Sequence, residues 1–152
     1  MKRLIVVPML VLMLFTNLTL VESKSSAADE ARKSLENYFK AWKETDMKKR
    51  EALLDPSWAE DGTYTDPTVA IVGRKGLIDH IEGFVSSEQS RNFSIVQDSD
   101  IDFHHNSFRF AWKMVDKSGR TITPGIDYGE FNDDGQITKI VGFFGPMPKL
   151  KQ

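Results

Sequence analysis

The sequence predicts an α+β fold with helices first and a curved antiparallel sheet last. Three observations carry this. Before Ser90, apolar residues recur at helical spacing; after it, they alternate with polar ones; and the alternating segments are joined by short turns, too brief for helical crossovers. A composition of 40% hydrophobic and 28% charged residues suits one globular domain.

The first helix carries Ala31, Leu35, Tyr38, Phe39 and Trp42, with charged residues between them. A second, short helix fits DMKKREALL, with Asp46 as N-cap and Leu53 and Leu54 inward. DPSW then starts a turn and EDGTYTDP an extended segment. A third helix fits GRKGLIDHIEGFVSS, where Leu77, Ile78, Ile81, Phe84 and Val85 form a stripe. From Asn92 to Gly145 the chain reads as a meander, with turns at HHNS, DKSG and NDDG. In its second strand Phe108, Phe110, Trp112 and Met114 alternate with Ser107, Arg109, Ala111 and Lys113, so one face is strongly apolar and must be covered.

Residues 1–23, MKRLIVVPMLVLMLFTNLTLVES, have two positive charges, an apolar run and small residues at Ser23 and Ser25–Ala28. That is the layout of a secretory signal peptide cleaved after Ser23, or as late as residue 27. The other reading is an uncleaved membrane anchor, although Thr16, Asn17 and Thr19 interrupt the run and leave it short for a bilayer. A polar linker over 24–29 and a domain over 30–148 would follow, giving a secreted or periplasmic protein with no membrane contact after cleavage. Cleavage after Ser23 leaves 18 basic and 21 acidic residues, a net charge of −3, which makes nucleic acid a poor partner. Cysteine is absent, which excludes disulfides, thiol nucleophiles and thiolate metal sites.

One strand residue stands out. In TPGIDYGEF, Asp127 shares a face with Gly129 and Phe131, so burying Phe131 buries a carboxylate too. Such a group is hydrogen-bonded, protonated or functional.

The segments WAEDGTYTDP and VGRKGLIDHI, followed by GIDYGEF, the NDDG turn and GFF, resemble the nuclear transport factor 2-like superfamily, in particular its SnoaL-like and ketosteroid-isomerase-like members. The resemblance spans roughly residues 30–146 and implies a cone: a bent sheet around a long helix, with a cavity open at one end and homodimerisation through the outer sheet face. It also implies site residues. Asp66 of YTDP matches the proton-abstracting aspartate of ketosteroid isomerases, and Asp127 matches the neutral aspartic acid that hydrogen-bonds the developing enolate, a case long used to illustrate carboxyl pKa tuning. The partner tyrosine falls on Trp42, which offers one N–H but no acidic hydroxyl; Tyr38 and Tyr64 are the possible substitutes.

Each candidate has a structural alternative. Asp127, walled by Phe110, Trp112, Phe131 and Phe144, is either an oxyanion donor or a tie accepting bonds from a neighbouring His, Tyr or Trp. Asp66 is a general base or the head of an Asx turn in DPT. His80, beside the apolar stripe of the third helix, pairs with Asp66 or Asp127 as in some SnoaL-like cyclases, or is structural. Trp58 and Tyr64 are expected at the cavity mouth, with Phe84 on the helix wall. Arg74 is expected to pair with Asp61 or Asp66; some epoxide hydrolases of the superfamily use an Asp–Arg–Asp set, for which Asp66, Arg74 and Asp127 supply the residue types. His104 and His105 occupy a turn without a third ligand at useful spacing, so no metal and no cofactor is expected.

Two functions follow as expectations. One is an enzyme for proton transfer (isomerase, cyclase or hydrolase) acting next to a carbonyl of a small hydrophobic molecule. The other is a non-catalytic ligand-binding, dimerisation or protein-interaction module on the same fold.

Overall fold

The computed structural model describes residues 27–151. The leader read over residues 1–23 lies outside the described residues. Helix α1 spans Ala27–Ala41, so residues 27–29 of the expected linker are helical. Its Ala31, Leu35, Tyr38 and Ala41 are buried at successive turns. Helix α2, Met47–Leu54, is capped by Asp46, whose side chain accepts the Lys49 N–H at 3.1 Å, worth about 1 kcal/mol.

Strand β1 (Trp58–Thr65) turns back into β2 (Ala70–Val72), and α3 (Arg74–Val85) follows. Gly73, which precedes α3, has φ 85°, a conformation that a Cβ disfavours, and this explains glycine there. A short α4 (Glu88–Asn92) leads into β3 (Phe93–Gln97), β4 (Asp102–His104), β5 (Ser107–Asp116), β6 (Thr121–Phe131) and β7 (Ile137–Phe144).

The strands form one curved open sheet in the order β2-β1-β7-β6-β5-β3, with β4 also paired to β5. All pairings are antiparallel except β1 with β7, which is parallel and sets Tyr64 opposite Ile140 and Thr65 opposite Val141. The fold is therefore α+β, with the N-terminal helices packed on the sheet's concave face. The core joins Leu35 and Tyr38 of α1, Leu77 and Ile81 of α3, and Phe108, Phe110, Ile137 and Ile140 of the sheet. Each fully buried aliphatic or aromatic side chain there contributes roughly 2 kcal/mol.

Arg50 is wholly buried. It donates to Glu82 Oε2 on α3 at 2.5 Å and to the carbonyls of Ala41 (3.3 Å) and Glu44 (2.5 Å). One guanidinium thus ties the end of α1, α2 and α3 together, with its donors satisfied as a buried charge requires.

Candidate active site

The inner face of β6 follows from its sequence. Gly125, Asp127 and Gly129 point inward, and both glycines make room for rings from β5. A Cβ at Gly125 would lie 2.2 Å from the Trp112 ring, and one at Gly129 would lie 2.2 Å from Phe108 Cζ. Asp127 lies between these two rings, 4% exposed. Its Oδ1 accepts the Trp112 indole N–H at 2.8 Å. Burial pushes its carboxyl pKa up to about 6, the Trp112 bond working against the shift and the nearby Asp66 charge adding to it.

Asp66 follows β1 and heads a tight turn. Oδ1 accepts from Thr68 N (2.7 Å), Thr68 Oγ1 (2.7 Å) and Val69 N (3.0 Å), while Oδ2 accepts from the Tyr64 hydroxyl at 3.1 Å. Partial burial pushes its pKa up, but the bonds from Thr68, Tyr64 and Val69 outweigh it and hold the carboxyl below its usual range. The Asx-turn alternative is thus realised, and Asp66 is an anchored carboxylate.

Gly142 of β7, paired with Asp127, brings the two acids together. A Cβ there would lie 2.9 Å from Asp127 Oδ1 and 3.6 Å from Asp66 Cβ. Across from them stands His80, half-buried, with its ring 5.5 Å from that of Tyr64 and 5.8 Å from that of Trp42. No hydrogen bond ties the imidazole among the described residues. Burial lowers its pKa, the Asp66 charge opposing the shift, so the ring is neutral at pH 7.

These groups line a cavity of about 710 Å³ between α1, α3 and the sheet. Trp42, Tyr64, Phe84, Phe110, Trp112 and Phe144 line it as the sequence suggests, together with Asp66, His80 and Asp127. Tyr38 lines it too; its hydroxyl is pushed well above the usual range by burial and by Asp127, a side-chain hydrogen bond from Trp42 acting in the opposite sense.

Three expectations are corrected. Trp58 is not at the mouth: it is fully buried in the core, stacked on Tyr38 at 5.9 Å and lodged over Gly62, at an irregularity of β1 where alternation breaks and Trp58 and Ala59 are both buried. Phe131 does not wall the cavity; it stacks on Phe108 at 6.2 Å, beyond Gly129 at the filled end of the cone. Arg74 pairs with neither Asp61 nor Asp66. It binds Asp55, Glu60 (3.1 Å) and the Trp58 carbonyl (2.9 Å), outside the cavity, so no Asp–Arg–Asp set forms. His104 and His105 lie exposed at the β4–β5 turn, rings 5.8 Å apart. Sequence reasoning missed Gly142 and Gly125, and the signal for the latter was the G-x-D-x-G spacing around Asp127.

A curved sheet wrapped on N-terminal helices, with an acid-bearing cavity at the unfilled end, is the architecture of nuclear transport factor 2-like proteins. Within that class the chain belongs to the SnoaL-like domain family, whose model matches residues 35–140. A candidate isomerase of the SnoaL-like family from Agrobacterium tumefaciens is 28% identical, with TM-score 0.68 over 78% of this chain and 99% of its own. A nuclear transport factor 2-like protein of unknown function from Cytophaga hutchinsonii is 14% identical, with TM-score 0.55 over 76% of this chain and 90% of its own. The epoxide hydrolase/cyclase-like enzyme SalBIII of salinomycin pyran-ring formation is 17% identical, with TM-score 0.58 over 80% of this chain and 95% of its own. No curated protein matches the chain.

Proposed function

We propose that the cavity binds a small, mostly apolar molecule and moves a proton next to its carbonyl group. The observation that carries this is the Asp127 carboxyl, raised to about 6 and facing the same cavity as a neutral, unbonded His80. Protonated Asp127 donates a hydrogen bond to the carbonyl oxygen. His80 takes a proton from the adjacent carbon, and the C–H electron pair moves into the carbonyl, giving an enolate held by Asp127. Where a carbon–carbon double bond lies β,γ to the carbonyl, the enolate is a dienolate. His80 returns the proton to its γ-carbon, the double bond moves into conjugation at α,β and the carbonyl re-forms, an isomerisation without a co-reactant. Asp66, whose lone pairs are largely spent and whose pKa is lowered, is a poorer base than the sequence match implies; its fixed charge stabilises the imidazolium that forms.

The test has two parts. Phenols of graded acidity imitate the enolate, and their absorbance reports ionisation in the cavity. Asp127→Asn weakens their binding about tenfold, and His80→Gln leaves it nearly unchanged. In D₂O, wild type catalyses deuterium entry beside the ketone of 2-tetralone and His80→Gln does not. Phenol binding without deuterium entry favours the non-catalytic binding module; no phenol binding by folded protein overturns both readings.

Export and dimerisation belong to the same proposal. The exposed outer-face residues Ile126, Tyr128 and Phe143 supply an apolar patch for a second copy. Sedimentation of wild type against Phe143→Lys tests the dimer, and the N-terminal residue of the exported protein tests cleavage after Ser23.

A further inference from the structure

The hydrogen-bonding groups of the cavity are unevenly spent. Around Asp66 they close on one another, through Tyr64, Thr68 and Val69. Elsewhere along the wall some are spent and two are not. Ser87 Oγ is used by the Phe84 carbonyl and the Ser90 N–H, and Gln97 Nε2 by the Ser99 carbonyl. The Gln89 side chain and the Lys43 ammonium have no hydrogen bond or ion pair among the described residues, and both line the cavity. Lys43 is also the one Lys or Arg that lines it among the described residues.

The strands that wall the cavity set its span. The strand register aligns Gln97 of β3 with Trp112 of β5 and Gly125 of β6, so β3 lies two strands from Asp127's strand. Two strand spacings are about 10 Å. Between the two ends the walls are apolar or aromatic: Phe84, Phe93, Ile95, Phe110, Trp112 and Met114. A cavity of 710 Å³ is far larger than a single phenol needs and lies in the range that holds drug-sized ligands. Lys43 gives three donors and a full positive charge, which suits a carboxylate; Gln89 offers amide donors elsewhere on the wall.

We propose that Lys43 is a second recognition point of the cavity, and that the ligand is an oxo-acid: an apolar body with a carbonyl at Asp127 and a carboxylate at Lys43. This rests on the reading of Asp127 given above. Lys43 is a specificity residue and takes no part in the proton transfer.

The test uses 6-(4-hydroxyphenyl)hexanoic acid and its methyl ester, with binding read by quenching of tryptophan fluorescence at low salt. The phenol group seats at Asp127 and the tail reaches the rim. Wild type binds the acid at least tenfold more tightly than the ester. Lys43→Gln reduces that ratio to below two with ester affinity unchanged, and Lys43→Glu reverses it. Equal affinities in wild type, a preference that survives Lys43→Gln, or no binding of either probe overturns the inference. Asp127→Asn separates the two levels. If it weakens acid and ester alike while wild type shows no acid preference, the carbonyl site stands and only the carboxylate site falls. If it changes neither, the reading of Asp127 falls.

Discussion

The Trp112 indole N–H donates to Asp127 Oδ1 at 2.8 Å from the neighbouring strand, two residues along the register, across the space left by Gly125. The bond fixes one carboxyl oxygen and leaves the other toward the cavity. It also favours the ionised form, so it opposes the burial that keeps Asp127 protonated. Trp112→Phe therefore raises the Asp127 pKa above about 6, as a carboxyl-carbon NMR titration of the two proteins will record.

The same carboxyl makes stability depend on pH. Its pKa is higher in the folded chain, about 6 against 3.8, so the folded state holds the proton more tightly. That stabilisation is full below pH 3.8 and is lost as pH rises through about 6. A rise of this size corresponds to about 3 kcal/mol. Wild type accordingly loses stability relative to Asp127→Asn between pH 4 and pH 7, measured as the urea midpoint at each pH.

Proton transfer needs a neutral His80 and a protonated Asp127. The His80 pKa lies below its usual value and that of Asp127 lies at about 6. Deuterium entry into 2-tetralone is expected to follow a narrow bell with its falling limb near pH 6 and its rising limb on the acid side. In Trp112→Phe the falling limb moves to higher pH.

Gly142 keeps space between two acids. A methyl group there meets Asp127 Oδ1 at 2.9 Å and must displace it. Gly142→Ala is expected to weaken phenol binding about tenfold while costing about 1–3 kcal/mol of stability, a typical overpacking penalty. Calorimetry on one sample reads both.

Arg50→Ala strips Glu82 and two carbonyls of a buried partner. Breaking such a buried arrangement costs about 3 kcal/mol. The urea midpoint falls, and the slope stays unchanged because the same surface is exposed on unfolding.

What was legible in the sequence was local. The spacing of Leu35, Tyr38 and Trp42, the Asp46 cap, and the inward alternation of Asp127 with Gly129 and Phe131 all follow from backbone period and cap chemistry, and all recur in the structure. What was not legible depended on residues far apart in the chain. Trp58 and Phe131 are aromatic residues on strands, and only the placement of Tyr38 and Phe108 decides whether they meet core or cavity. Arg74 had Asp55 and Glu60 to choose as well as Asp61 and Asp66, and the geometry of α3 against β1 decided it. The role of Gly142 depends on β7 lying between β1 and β6, which no pattern within β7 announces.

That parallel pairing of β1 with β7 also orders events during synthesis. The Asp66 turn leaves the ribosome early, but the strand that sets it beside Asp127 is the last element of the sheet. Until residues 137–144 emerge, β1 lacks its inner neighbour and β6 has one open edge. The nascent chain therefore carries two unpaired strand edges and a half-built acid end, the condition in which strands pair with wrong partners. Truncating the protein after Gln136, which removes β7, would abolish the fold and the cavity together, whereas the helices alone retain most of their local signals.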